Sequence, residues 1–462
     1  MPANAPSALL PLLAAAPVSA DVRLAYVLQH FRLVYQNAPA VTIGYAASRP
    51  TIEIREGAGD FFSGAQPYPS EPNHREWHGQ LVPFFFDAAP EAALLELHTG
   101  HVTISADIIA AAFYLLSGWQ EYFSEARDRH GRFPYAASVQ KQYGFVALPV
   151  VNYYFDVLKT AIEHVTGKPL RRRLWHGNAP FAAFISHDID NLRSAWKGAA
   201  KASLKQGRLL RFGQLLWQHL SQPDAWDNLE AVAAATAKYG ARATFFVLPE
   251  HHPGADNTPN ADYSLSAKLG RRFGALHRQG HELAYHGSIG TATDVAGFKR
   301  EHRALQHRVP GVPSVDGLRF HYLRWDPRHT LHNLEKTTAT YDSTLGFAEH
   351  YGFRNSYCHP YYPFNFVSGK PSCLLEIPLN VMDATLHHPN YLQLGALEML
   401  PALTPLFAEI EKFGGVATVL WHNENFDPAN LTTGPRQFHE LMQYLSQRGA
   451  AFLTGQEIYR QY

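Results

Sequence analysis

Phe181-Ala182-Ala183-Phe184-Ile185-Ser186-His187-Asp188-Ile189-Asp190 reads as a short buried strand ending in two carboxylates. Side chains alternate along a strand, so Asp188 and Asp190 emerge on one side and Ile189 on the other. Two like charges this close, at the end of an apolar strand, cost free energy unless something cationic lies between them. Two readings are open at this point. Either a metal ion holds one carboxylate and leaves the other as a base, or the acids cap the helix that follows.

From Phe181 onward strands and helices alternate. Strands are predicted at Phe181–Ser186, Ala243–Leu248, Glu282–His286, Gly317–His321, Ala339–Asp342, Leu374–Pro378, Val416–Trp421 and Ala450–Leu453. Helical patterns separate most of them, several ending at a glycine such as Gly240, Gly280 or Gly449, the usual stop signal. This alternation implies parallel strands with crossover helices, and eight strands are enough to close a (β/α) barrel. In such barrels reactive groups sit at the C-terminal strand ends. Applied here, that rule gathers Asp188, Asp190, His286, Arg319, His321, Asp342 and His422 at one face.

Residues 1–175 are predicted to form a smaller α+β domain of unknown role, and 176–462 the barrel. The basic stretch with Arg171-Arg172-Arg173 marks the boundary. The N-terminal part shows helical spacing over Asp21–Leu33 and Ala106–Tyr122, short strands at Ala40–Ala46 and Pro50–Arg55, and a polar loop from Asp128 to Pro134. It carries no paired acids, Gly-rich phosphate loop or ligand-spaced histidines.

Hydrophobic content of 46% with 17% charged residues suits a globular chain of 462 residues with a large core. Lys+Arg and Asp+Glu stand at 40 each, so nothing global points to nucleic acid or an anionic surface. Two cysteines, Cys358 and Cys373, exclude a disulfide framework or a Cys-built zinc site. No apolar run reaches the ~20 residues of a membrane span. Ser7 to Pro17 is apolar and Val18-Ser19-Ala20 resembles a cleavage site, but no Lys or Arg precedes it, so a cytoplasmic location is expected over export. Between the first two barrel strands, Arg193, Lys197, Lys201, Lys205, Arg208 and Arg211 recur at three- or four-residue steps. They form either a solvated helix face or a contact for an acidic glycan or lipid headgroups.

Ser186-His187-Asp188-Ile189-Asp190, Ala243-Thr244-Phe245-Phe246-Val247 and Gly280-His281-Glu282-Leu283-Ala284-Tyr285-His286 together resemble the first landmarks of polysaccharide deacetylases, the NodB-homology carbohydrate esterases. Arg319-Phe320-His321-Tyr322, Tyr341-Asp342-Ser343-Thr344 and Leu420-Trp421-His422 resemble the later motifs in order. The N-terminal part resembles an uncharacterised domain found ahead of such enzymes. The resemblance implies a distorted (β/α) barrel and a metal-dependent hydrolase that removes N-acetyl groups from a carbohydrate. It makes Asp188 the general base, Asp190 and His286 ligands of a divalent metal, His422 the general acid, and Arg319 the residue that orients Asp188. Leu420 would line the acyl pocket, and Asp342 would tune His422. Tyr322, Arg354 and Asp383 are candidates for the substrate cleft.

The chain departs from the family pattern at two places. Gly290 stands where a second histidine is usual, so a ligand is missing. His321, in place of the usual proline, either supplies it, giving a two-His, one-carboxylate zinc site, or merely packs. Leu345 and Gly346 replace the second acid and Trp of the fourth motif. A metal-independent amidohydrolase on the same fold and a non-catalytic glycan-binding protein are the rival readings.

Overall fold

In the computed structural model, which describes residues 13–462, nine strands form an all-parallel sheet. They are β1 (Ala182–Ile189), β2 (Thr244–Val247), β3 (Glu282–Gly287), β4 (Gly317–Phe320), β5 (Tyr341–Asp342), β6 (Leu375–Glu376), β7 (Val381–Met382), β8 (Val416–Leu420) and β9 (Ala451–Phe452). Their order is β6-β5-β4-β3-β2-β1-β8-β7, with β9 beside β1. Helices such as Ala267–Arg278, Val295–Arg308 and Met399–Phe413 make the crossovers.

The ends of that order are not far apart in space. Only Ile377–Asn380 separates β6 from β7. At about 3.3–3.6 Å per residue, the two edges therefore lie within roughly 18 Å of each other. One extended segment, Leu375–Met382, pairs first with β5 and then with β8. The switch falls around Pro378, which has no N–H to give a ladder. Leu379 N donates to Leu345 O at 3.1 Å, and Asn380 Oδ1 accepts from Thr418 N at 3.0 Å. The sheet thus curls into a ring of seven positions, the sixth shared by β6 and β7. The expected eighth strand takes no place in the ring: β9 pairs with Ala182 and Ala183, on the side of β1 that β2 takes further along.

Inside the ring, Phe184, Phe246, Ala284, Tyr341 and Val416 pack as one buried cluster. Parity then sets the layer above: Ser186, His286 and Arg319 point inward, two residues beyond Phe184, Ala284 and Gly317. The same alternation corrects one expectation. Tyr341 points into the barrel, so Asp342 points out, where its carboxylate accepts from Thr344 Oγ1 at 2.6 Å and lies beside Glu376. It does not reach His422.

The N-terminal residues build a four-stranded sheet, in the order Ile43–Tyr45, Ile52–Ile54, His101–Ile104, Leu95–His98, against the helices Ala20–Val34, Ile108–Leu116 and Val150–Thr166. The apolar helix foreseen over Ala106–Tyr122 breaks at Gly118, whose φ of 71° is left-handed. Of the apolar leader-like stretch, residues 7–12 lie outside the described residues, and Ser19 caps the first helix by accepting from Val22 N. The change of strand pattern near residue 175 is not a gap in packing. A single hydrophobic cluster runs from Tyr26 and Phe113 to Phe364 and Tyr361. Among the described residues no helix is long and apolar enough to cross a membrane.

Three histidines are buried as neutral rings in this framework. His30 places Nδ1 2.8 Å from Tyr26 O and accepts from Tyr362 N at 3.0 Å. His187 bonds Trp421 O, and His359 bonds Phe413 O. Burial lowers His30 and His187 to about 4 and His359 to about 3. In the unfolded chain each takes up its proton near pH 6.5, so stability falls as pH drops from 6.5 towards 4. Glu282 and Glu301, raised by burial, act in the opposite sense. The telling measurement is therefore a difference. Thermal melts of His30→Gln should show a shallower pH slope over this window than the wild type, by up to one proton; equal slopes would remove His30 from the account.

Candidate active site

The C-terminal ends of β1, β3, β4, β7 and β8 open on a cavity of about 230 Å³. Asp188, Asp190, His286, His321, Tyr322, Leu420 and His422 all line it.

Asp188 is fixed by Arg319, whose Nη1 donates to its Oδ1 at 2.8 Å. The guanidinium is itself wholly buried. It also donates to Ser186 Oγ at 2.9 Å and Ser343 O at 2.8 Å, and lies over the Phe246 ring at 4.3 Å. A buried cation with this many partners has one orientation, and it imposes one on Asp188. Asp188 Oδ2 is left 3.6 Å from His286 Nε2.

Asp190 Oδ1 is shielded from solvent yet has no hydrogen-bond donor. It faces His286 Nε2 at 3.3 Å and His321 Nδ1 at 3.5 Å, and those two nitrogens are 3.2 Å apart. His286 Nδ1 lies 2.9 Å from Arg319 O, which can only accept, so Nδ1 carries a proton and Nε2 is the nitrogen left facing the cluster. Burial would raise the Asp190 carboxyl, but His321, His286 and His422 together hold it far below the usual range. Two ligands about 2.0–2.1 Å from a tetrahedral zinc lie about 3.3–3.4 Å apart, close to the three separations seen here. The donor set of one carboxylate and two imidazoles, with an unpartnered buried oxygen, therefore fits a divalent cation. The only other such cluster among the described residues, Glu250 with His251 and His252, is largely exposed and bonded to itself.

His321 reaches this position because the chain turns sharply after β4. Tyr322 and Leu323 both adopt left-handed backbone, at φ 58° and 52°, a costly arrangement for non-glycine residues. Gly290, in contrast, has φ 97° and no heavy atom within 4 Å of where a Cβ would stand.

His422 follows β8 and sits across the cavity, its Nε2 3.7 Å from Asp190 Oδ2. Asp383, just past β7, takes the other side: Oδ1 is 2.7 Å from His422 Nδ1, and Oδ2 accepts from His422 N at 2.6 Å. Burial would lower His422, but Asp383 first, then Asp190 and Asp188, raise it well above an ordinary histidine. The partner of His422 is therefore Asp383, not Asp342. Arg354 is likewise absent from the cavity. It is buried in a two-point ion pair with Glu121 at 2.8 and 2.6 Å.

Residues 19–167 match a family of unknown function, DUF7033. A search of curated proteins finds no match to this sequence. Among solved structures, a putative polysaccharide deacetylase from Mycobacterium smegmatis aligns over 62% of this chain and 92% of its own, at 16% identity and a TM-score of 0.42. Puue allantoinase aligns over 62% and 91%, at 14% identity and a TM-score of 0.41. A family 4 acetyl xylan esterase from Clostridium thermocellum, in complex with a cobalt ion, aligns over 60% and 90%, at 13% identity and a TM-score of 0.28. Likenesses of this degree leave the chemistry to be read from the residues themselves.

One contributor comes from the region that seemed silent. Arg132, in the Asp128–Pro134 loop, lines the cavity, donates to Tyr322 O at 2.7 Å and pairs with Asp128 at 2.6 Å. His130 stacks on Tyr322 with ring centroids 4.9 Å apart. The N-terminal part thus forms a wall of the site. Next to it the wall is apolar, with Leu323, Ala348, Met382 and Leu420 packed together.

Proposed function

We propose that this chain is a metal-dependent hydrolase that removes acyl groups, chiefly N-acetyl, from a carbohydrate. The reading is carried by one observation: an unpartnered carboxylate oxygen and two imidazole nitrogens converge between Asp188 on one side and His422 on the other. Asp190, His286 and His321 would hold the cation, with zinc the metal best matched to this donor set. When bound, it supplies Lewis acidity, polarising the acyl carbonyl and making water easier to deprotonate. The remaining work falls to the chain. Asp188, oriented by Arg319, accepts the proton of the attacking water at Oδ2. His422, protonated and aligned by Asp383, donates from Nε2 to the departing nitrogen. Leu420, Met382 and Leu323 offer the acyl methyl an apolar wall, while Arg132 and Tyr322 face the sugar.

Acetate release from a panel of N-acetylated oligosaccharides and nucleotide- or lipid-linked amino sugars tests the reading. Activity that disappears with a chelator and returns with zinc supports it; activity indifferent to the chelator favours the metal-independent rival. The cation site has a check that needs no substrate. Zinc added to the metal-free chain should raise its melting temperature, by about 2.7 kcal/mol of stabilisation at a hundred times Kd. Asp190→Asn and His321→Ala should weaken zinc binding by about 100-fold or more in a competitive dye titration. Unchanged affinity in both would remove the site.

A further inference from the structure

The two helices between β1 and β2, Ala195–Lys205 and Leu209–Ser221, form a hairpin whose surface the proposed chemistry does not use. Trp196 stacks on His219 with centroids 4.6 Å apart, and Leu215 is buried. Those contacts account for one side of the second helix. On another side, Leu209, Leu210, Trp217 and Leu220 share an arc of about 100° and are 69%, 94%, 64% and 76% exposed. Leu204, at the end of the first helix, is also exposed, so the tip of the hairpin presents Leu204, Leu209 and Leu210 together. A helix of a water-facing surface buries its apolar stripe; this one leaves a stripe bare.

The charge around the stripe has one sign. Arg193, Lys197, Lys201, Lys205, Arg208 and Arg211 are all exposed, and none forms an ion pair among the described residues. From Asn191 to Pro223 there is no Asp or Glu. In a chain with 40 basic and 40 acidic residues, this is a local excess with no global counterpart.

We propose that the hairpin is a peripheral docking surface for an anionic lipid bilayer, with the leucines and Trp217 entering the headgroup boundary and the cations pairing with lipid phosphates. This inference is independent of the hydrolase reading. Leucine and tryptophan beside unpaired Lys and Arg, with no acid among them, are what such an interface selects. An acidic glycan would use the cations but not the leucines. A second copy of this chain, related by a twofold axis, would bring the cationic tips together against their own repulsion. The root of the hairpin ties it to the cavity. Asn191 lines that cavity, and the N–H groups of Leu192 and Arg193 donate to Asp262 at 2.7 and 2.9 Å. A helix of 13 residues is about 20 Å long, so docking holds the cavity rim within that reach of the headgroups.

Sedimentation of the full chain with vesicles of phosphatidylcholine, alone or in equal parts with phosphatidylglycerol, tests the proposal. Binding is expected to the mixed vesicles, to weaken with salt, and to fall at least about ten-fold when Leu209, Leu210, Trp217 and Leu220 are all replaced by Ser. Neutralising Lys197, Lys201 and Lys205 to Gln should cost roughly five-fold per charge. These side chains are exposed, so melting temperatures should not move, which separates lost docking from lost folding. No binding to the mixed vesicles overturns the proposal. So does a serine variant that binds them as well as the wild type, since that is a polyanion contact without insertion. A concentration-dependent dimer that the serine variant abolishes, with no vesicle binding, would assign the face to self-association instead.

Discussion

Asp188→Asn should lower acetate release by about 10³-fold, within the 10²–10⁴ range of a positioned acid–base group, while leaving zinc affinity within a few-fold of the wild type. Asparagine keeps the size of the side chain and an oxygen that can accept from Arg319 Nη1, but it cannot take a proton. The folded protein should survive the change, because Arg319 retains Ser186 Oγ, Ser343 O and Ser343 Oγ as partners. The buried guanidinium does lose its nearest counter-charge, so a modest fall in melting temperature belongs to the same expectation. The division between the two acids is what the variant reads. Asp190 Oδ1 faces both imidazole nitrogens, whereas Asp188 turns one oxygen to Arg319 and the other towards the cluster from 3.6 Å. Turnover lost together with zinc affinity would make Asp188 a ligand rather than a base. Full turnover in the variant would take the role of base away from Asp188, whereas an unchanged biological activity without acetate release in either protein would favour glycan binding over catalysis.

What could be read from the chain alone follows from strand parity and from the rule that parallel barrels work at their C-terminal ends. Those two statements bring Asp188, Asp190, His286, Arg319, His321 and His422 to one mouth, and all but Arg319 line the same cavity, with Arg319 directly beneath it. The same reasoning failed at Asp342, because β5 is only two residues long and a one-residue error in where a strand faces inverts every side chain on it. Asp383, expected in the substrate cleft, stands instead behind the cavity wall, fully buried between the lining residues Met382 and Ala384, as the partner of His422. It follows a two-residue strand that exists only through pairing with β8, a contact no local pattern announces. Arg132 left no signal at all. Its loop reads as a polar turn, and its role depends on Tyr322, 190 residues away. The barrel closure is hidden for a related reason. The expected strand Leu374–Pro378 stops at its proline, and only the three-dimensional ring shows that the chain runs on past it to a second neighbour.

Arg354→Met should be the most destabilising single change outside the barrel interior, costing about 3–5 kcal/mol. Arg354 and Glu121 are both buried, and the fork of two hydrogen bonds between them is joined by a third from Arg354 Nη1 to Gly346 O at 3.0 Å. Methionine fills much of the volume, so the cost comes from leaving the Glu121 carboxylate buried without its counter-charge. The pair is also the centre of a seam between the N-terminal helices and the barrel. Gln140 Nε2 donates to Arg354 O at 2.7 Å, and Arg328 Nε donates to Tyr122 O at 3.2 Å. If the two parts unfold as one body, urea melts of Arg354→Met keep one transition at a lower midpoint with the slope unchanged. If they are independent, the same variant splits the curve, with an early loss of the part that holds Glu121. The double variant Glu121→Leu with Arg354→Met removes both charges together and should recover much of the loss, because an apolar pair of similar volume needs no desolvated partner. A single variant as stable as the wild type would mean that water reaches this seam, and the wall that Arg132 adds to the cavity would then rest on the packing of Phe133 and Phe347 instead.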